Sequence, residues 1–173
     1  MEHHLTILTA DPTAAELIAE ISVTTFTQTF ADSNSKEDMD KYLSKEMNVE
    51  KIRCELQDPD STFFLAWDGP TLAGFAKVNS DVKADAPESD NPLEIERLYV
   101  LQDYQGKKVG AALMNHCIAF AHRNHHSTIW LGVWEHNHKA IRFYEKWGYA
   151  PFGTHIFRLG TDDQTDILMK KEL

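Results

Sequence analysis

Glu94 and Glu96 stand one residue apart in Leu93-Glu94-Ile95-Glu96-Arg97-Leu98-Tyr99-Val100, a segment whose composition suits a β-strand. A strand's period of two puts both carboxylates on one face unless a bulge intervenes. There they could hold a cationic amine or accept its proton; the competing reading is an exposed strand face with charged side chains. Asn137 stands where a later helix should begin, and Tyr144 follows on that helix. At about 100° per residue, Tyr144 lies about 20° short of two full turns from Asn137 and roughly 10 Å farther along the axis, so both can face one ligand. A tyrosine, with a reference pKa near about 10, can donate a proton to a departing thiolate. The same two residues could instead be an N-cap and a core aromatic.

A third group, Tyr104-Gln105-Gly106-Lys107-Lys108-Val109-Gly110-Ala111, lies where a strand hands over to a helix. First-turn N–H groups lack intrahelical partners and the helix dipole is positive there, so this is an anion-binding position. The glycines permit close backbone approach, and Lys107 and Lys108 add positive charge that suits a pyrophosphate. Ala111 follows Gly110 where a nucleotide-hydrolase loop needs Lys and Ser or Thr, and the three-glycine dinucleotide spacing is absent. An ordinary strand-to-helix turn is the alternative.

These groups need a frame. Residues 5–8 suit a short strand. Asp11-Pro12 supplies an N-cap with proline at the first helical position, and Leu17, Ile18, Ile21 and Thr25 follow at helical spacing, which predicts a helix to about Phe30. Lys36 to Glu46 and Val49 to Gln57 read as short helices, and residues 62–67 and 71–78 as strands joined by the turn Asp68-Gly69-Pro70. Residues 80–92 carry Asp81, Asp85, Glu88 and Asp90 against Lys83, an acidic loop that is either a mobile, solvated connection or a lid over a cleft. Strand 93–100, a helix from Lys107 to about Arg123, strand Thr128 to Trp134 and a helix from His138 to Trp147 predict parallel pairing with a helical crossover. The helix from Lys107 has Val109, Ala112, Leu113, Cys117, Phe120 and Ala121 on one face, so it should pack on the sheet with Cys117 in the core. Gly132 interrupts a strand of large apolar residues, which a close approach of backbone or ligand would explain. The tail from Phe152 offers two weaker strands around Gly160-Thr161-Asp162. The expected fold is α/β with a mixed central sheet.

With 173 residues, 42% apolar and 25% charged, the composition fits one globular domain over residues 1–173. Lys plus Arg minus Asp plus Glu is 17 − 27 = −10, a field that repels nucleic acid and suits a cationic small molecule. Cys54 and Cys117 are too few for a disulfide framework and point to a reducing compartment. Met1-Glu2-His3-His4 lacks the basic start of a signal peptide, and His3-His4 is too short for a purification tag. Ile129-Trp130-Leu131-Gly132-Val133-Trp134, the longest apolar run, falls far below the roughly 18 residues of a membrane span, so a cytoplasmic location with no membrane partner is expected. His125-His126 and His136-Asn137-His138 lack helical ligand spacing and matched cysteines, so no metal site is expected.

Taken together, Leu98-Tyr99-Val100, Gln105-Gly106-Lys107-Lys108-Val109-Gly110-Ala111 and Asn137-His138-Lys139-Ala140-Ile141-Arg142-Phe143-Tyr144-Glu145-Lys146-Trp147-Gly148-Tyr149 resemble the GCN5-related N-acetyltransferases (GNAT) in order and spacing, across about residues 61–173. Within that superfamily Thr25-Phe26-Thr27-Gln28-Thr29-Phe30, Ile129 to Glu135 and Asp163-Gln164-Thr165-Asp166 look like the bacterial PaiA-type spermidine/spermine acetyltransferases, which extends the likeness to nearly the whole chain. The resemblance implies a mixed, mostly antiparallel sheet with a splayed parallel strand pair, flanked by helices. It implies acetyl-CoA as co-substrate and no metal. The donor would lie along Leu98, Tyr99 and Val100, with its pyrophosphate on Gln105, Gly106, Lys107, Lys108, Val109, Gly110 and Ala111. Its pantetheine arm would enter the gap bordered by Gly132 and Asn137, with Lys139, Tyr144 and Lys146 also at the cofactor. One departure is Lys108, which stands where the family's loop usually has glycine. The position calls for a backbone geometry that lysine tolerates poorly, which touches phosphate affinity more than fold.

The implied reaction is direct transfer of acetyl to a primary amine. A protonated amine has no free lone pair, so a base must act first; Glu96, directly or through water, is assigned that role, with Glu94 as substitute or electrostatic anchor. A backbone N–H near Leu98 or Tyr99 would stabilise the oxyanion, and Tyr144 would protonate the sulfur. The expected acceptor is a small-molecule amine, foremost a polyamine, met by a monomer or homodimer. Alternatives are a protein, peptide or drug amine, or a non-catalytic acyl-CoA sensor that contacts a partner through the acidic loop.

Overall fold

The computed structural model describes residues 5–173; His3-His4 and the rest of the N-terminal stretch read for a leader lie outside the described residues. The chain opens with β1 (Leu5–Thr9), and Asp11 then accepts the Thr13 N–H at 2.8 Å across a 3-10 turn begun by Pro12. That turn feeds α1 (Ala15–Phe30). Inside α1 the buried hydroxyls of Ser22 and Thr25 donate to the carbonyls of Ile18 and Ile21, at 2.6 and 2.7 Å, so neither is left unsatisfied. Ser35 caps α2 (Lys36–Glu46) by accepting from Asp38 N–H at 3.1 Å, and Asn48 caps α3 (Val49–Gln57) by accepting from Lys51 N–H at 2.9 Å.

The remaining elements are β2 (Ser61–Asp68), β3 (Thr71–Asn79), β4 (Pro92–Val100), α4 (Val109–Arg123), β5 (Thr128–Trp134), α5 (His138–Lys146), β6 (Ala150–Leu159) and β7 (Asp162–Glu172). They form one seven-stranded sheet in the order β1-β2-β3-β4-β5-β7-β6. Both faces are covered, which is why β2 reads as a continuous apolar run rather than an alternation. Phe63, Leu65 and Phe75 face Ile18, Ile21 and Ile52 of α1 and α3. On the other face Phe64, Ala66, Ala76 and Val78 meet Val109, Leu113, Met114 and Cys117 of α4. Burial pushes the Cys117 thiol up to about 12, the behaviour of a core thiol.

Two expectations shift. The helix anticipated from Lys107 starts at Val109, because Gly106 and Lys108 both take left-handed backbone angles, φ +81° and +67°. The two strands expected to be weak, β6 and β7, are 10 and 11 residues long. β6 is the sheet's edge, so side chains such as Ile156 face outward and blur the apolar alternation.

Every strand pair is antiparallel except β4 with β5. That parallel pairing covers only Pro92, Leu93 and Glu94 against Thr128, Ile129 and Trp130. Beyond it β4 runs on to Val100 and β5 to Trp134 without pairing to each other, so the two strands part. In β4 the register toward β3 also slips: Lys77 faces Arg97 while Val78 faces Ile95, leaving Glu96 as the extra residue of a bulge. Across the bulge, Ile95 and Leu98 both turn to the α4 face, and Tyr99 turns to the α1 face.

Candidate active site

The parting of β4 and β5 opens a cleft of about 970 Å³ that runs from the start of α4 and α5 to α2 and the loop 80–91. Gly132 lies at its floor, exposed within a strand whose neighbours Leu131 and Val133 are buried. A side-chain carbon at Gly132 would sit 3.3 Å from the Asp166 Oδ2 atom, so glycine here leaves room for that carboxylate.

One end of the cleft suits an anion. Lys108 immediately precedes α4 and provides no side-chain cap, which leaves the first-turn N–H groups without intrahelical acceptors. Gln105, Gly106, Lys108, Gly110 and Ala111 line this end, with Lys139 and Lys146 across it on α5. Lys139 Nζ donates to Gln105 Oε1 at 2.6 Å and ties α5 to the loop. Two expected side chains point elsewhere: Lys107 lies over the Tyr104 ring, 5.1 Å from its centroid, and Val109 is buried in the core. A lysine in the left-handed region is strained by roughly 1–2 kcal/mol, of which glycine's greater chain entropy offsets part. Lys108→Gly should therefore raise the thermal unfolding midpoint by about 2 °C, and Lys108→Val should lower it.

Midway along the cleft, Asn137 Oδ1 accepts from Ala140 N–H at 3.2 Å, so Asn137 is the N-cap of α5 and also lines the cleft. Tyr144 is buried within α5 yet lines the same cavity. Burial, with the neighbouring Tyr99 and Cys117, pushes its phenol well above the usual tyrosine value, so it stays protonated.

The other end carries paired charges and aromatic walls. Lys77 donates to Glu96 Oε1 at 2.9 Å, Lys83 to Oε2 at 3.1 Å and Asn79 to Oε2 at 3.4 Å, with Arg97 3.7 Å away. Burial alone would raise the Glu96 pKa; Lys77, Arg97 and Lys83 together outweigh it and bring it down to about 2. Glu94 faces the same way despite the bulge, since Lys83 Nζ also lies 2.6 Å from its Oε2. That contact is an ion pair without hydrogen-bond alignment, and burial moves the Glu94 pKa upward in spite of it. Lys77 and Arg97 are buried, 3% and 8% exposed, and share Glu55 of α3. Phe26 stacks on Tyr42 at 4.6 Å, and Phe30 meets Trp134 at 5.7 Å. Both pairs line the cleft, and such rings attract an ammonium.

This geometry matches a known one. A family model described as the Acetyltransferase (GNAT) family matches residues 18–149. The chain belongs to that family. An uncharacterized N-acetyltransferase in the pepI 3' region of Lactobacillus delbrueckii subsp. lactis is 42% identical over 159 residues, covering 91% of each chain. Among solved structures, a PaiA N-acetyltransferase from Thermoplasma acidophilum in complex with coenzyme A superposes with a TM-score of 0.78 at 21% identity, covering 98% of this chain and 99% of that one. YncA from Salmonella typhimurium with its cofactor acetyl-CoA gives 0.68 at 21% identity, covering 98% and 94%. At such identities these likenesses concern the fold alone.

Within this GNAT domain the structure brings Glu94, Glu96, Leu98, Tyr99, Val100, Asn137 and Tyr144 to one cleft. Sequence reasoning missed the cations around Glu96. Lys77 was visible as a charge inside an apolar strand, and Lys83 comes from the loop 80–91, which also brings Asp85 to the cleft edge. It also missed Asp166, which lies opposite Trp134 of β5 and His155 of β6 and has a pKa raised by burial to about 6. Among the described residues no group of His, Cys, Asp and Glu is arranged to hold a metal, and no helix is long and apolar enough to cross a membrane.

Proposed function

We propose that this chain is an acetyl-CoA-dependent N-acetyltransferase acting on a primary amine, foremost a polyamine such as spermidine or spermine, as a single cytoplasmic domain in monomeric or homodimeric form. The observation that carries this reading is the parting of β4 and β5 after Glu94 and Trp130, with free helix N–H groups at one end of the gap and carboxylates at the other. Along Leu98, Tyr99 and Val100 the backbone pairs with β3 but not with β5, and that open edge suits the amide-bearing pantetheine arm, while the N-terminal turn of α4 with Lys108, Lys139 and Lys146 suits the pyrophosphate. Bound there, acetyl-CoA supplies a thioester carbonyl as acyl donor.

Glu94 and Glu96, bridged by Lys83, border the end where the cationic amine enters, and a backbone N–H at Leu98 or Tyr99 stabilises the charge that develops on the carbonyl oxygen. Tyr144 gives its phenolic proton to the sulfur as the carbon–sulfur bond breaks. Lys77, Lys83 and Arg97 keep Glu96 ionised, which makes it a strong electrostatic anchor and a weak proton acceptor. The net charge of −10 favours a cationic acceptor over an anionic one.

The test is CoA release with spermidine, spermine and a control monoamine beside a blank without acceptor. Release accelerated by the polyamines is expected. If acetyl-CoA raises the melting temperature while no amine speeds release, the chain is a sensor and the proposal falls.

A further inference from the structure

Of the carboxylates lining the acceptor end, most are already engaged by cations of the protein. Glu96 is held by Lys77, Lys83 and Arg97, Glu94 by Lys83, and Glu46 by Lys45 and Lys51. Asp166 differs. No lysine or arginine among the described residues pairs with it, and His155 is the one group that lowers its pKa. It stands at the floor of the gap, its Oδ2 beside Gly132, the glycine that leaves this stretch of β5 open. Asp166 lines the same cleft as Tyr99, Glu94 and Glu96 of β4. His155 in turn lies 3.7 Å from Asp85 of the loop.

We propose that Asp166 is the base that takes the proton from the acceptor amine, while Glu94 and Glu96 stay engaged by the protein's own cations. This inference rests on the acetyltransferase reading above. The reacting ammonium enters beside Gly132 with one N–H directed at the Asp166 carboxylate, while Lys83 keeps its place between the two glutamates. Asp166 accepts that proton and later passes it to water. The freed lone pair forms the nitrogen–carbon bond, the carbon–sulfur bond breaks, and the sulfur departs with its electron pair to take the Tyr144 proton. The nitrogen's second proton leaves as the amide forms and replaces the one Tyr144 gave up. A base works best when its pKa lies near the working pH, and Asp166 at about 6 meets that condition where Glu96 at about 2 does not. Gly132 completes the picture, since a side chain there would press on the carboxylate.

The experiment compares wild type, Asp166→Asn and Asp166→Glu in spermidine acetylation across the pH range, with acetyl-CoA affinity measured by calorimetry. Wild-type kcat/KM should rise through an acidic limb near the Asp166 value of about 6 and then level off. Asp166→Asn should lose about 10²-fold in kcat near neutral pH and climb about tenfold per pH unit thereafter, because only free amine reacts. Acetyl-CoA affinity should stay within about twofold in both variants, and Asp166→Glu should keep an acidic limb. A purely structural residue would lower the plateau without changing the shape of the profile. An Asp166→Asn enzyme that keeps the wild-type profile, at any height, overturns the inference. Should that variant fail to fold, carbon-13 titration of the wild-type carboxyl decides: a titration that shifts when spermidine binds supports the assignment, and one that does not move ends it. Wild type inert toward every amine defeats the acetyltransferase reading and this inference with it; an active wild type puts Asp166 alone at stake.

Discussion

Tyr144→Phe should lower kcat by about 10²- to 10³-fold while acetyl-CoA affinity stays within about twofold. The substitution removes one O–H from a residue that lines the cleft and has no side-chain hydrogen bond among the described residues, so stability should change by less than about 1 kcal/mol. Its turnover effect would therefore report on the reacting atoms. The apolar surroundings that keep the phenol protonated also disfavour a bare thiolate, which raises the need for a donor at that point. Steady-state kinetics beside calorimetry would check this, and turnover equal to wild type would remove Tyr144 from the mechanism.

The largest stability effect should come from Arg97→Leu, a loss of about 3–5 kcal/mol. Arg97 forms a two-pronged pair with Glu55, NH1 to Oε2 at 2.8 Å and NH2 to Oε1 at 3.0 Å, between side chains only 8% and 13% exposed. Removing it leaves Glu55 buried with Lys77 alone, 3.4 Å away. An uncompensated charge in that setting is what costs free energy, so a double substitution that also replaces Glu55 by leucine should recover part of the loss. Urea unfolding near neutral pH would measure both. Glu96 adds a pH signature. Its folded pKa of about 2 lies below the ordinary 4.5, so its contribution is present above pH 4.5 and fades as the pH falls toward 2. With one of its cations gone, Arg97→Leu should begin its acid unfolding at a higher pH than wild type.

The helices and the glycine-bearing loop before α4 were legible because their signals are local. Asp11-Pro12 opens the 3-10 turn that leads into α1, and Gly106 marks the turn before α4. The departure at Lys108 was legible too, and its left-handed backbone is the geometry that lysine tolerates poorly. Asp166 was hidden because its place depends on strand order: β7 inserts between β5 and β6, which brings a residue near the end of the chain beside Gly132. No local pattern announces that insertion. The surroundings of Glu96 were hidden for a related reason, since Lys77 reaches it across a strand pair and Lys83 from a loop without regular structure.

The extra residue at Glu96 splits β4 into two runs that are out of phase. Upstream, Glu94 and Glu96 look toward α1 and the loop; downstream, Leu98 and Val100 look toward α4. On the proposed reading, substitutions among the charged neighbours can thus change the amine-facing run while the run facing α4 keeps its backbone. Deleting that single position would merge the two phases, and under the proposed function acceptor choice could then no longer change independently of donor grip.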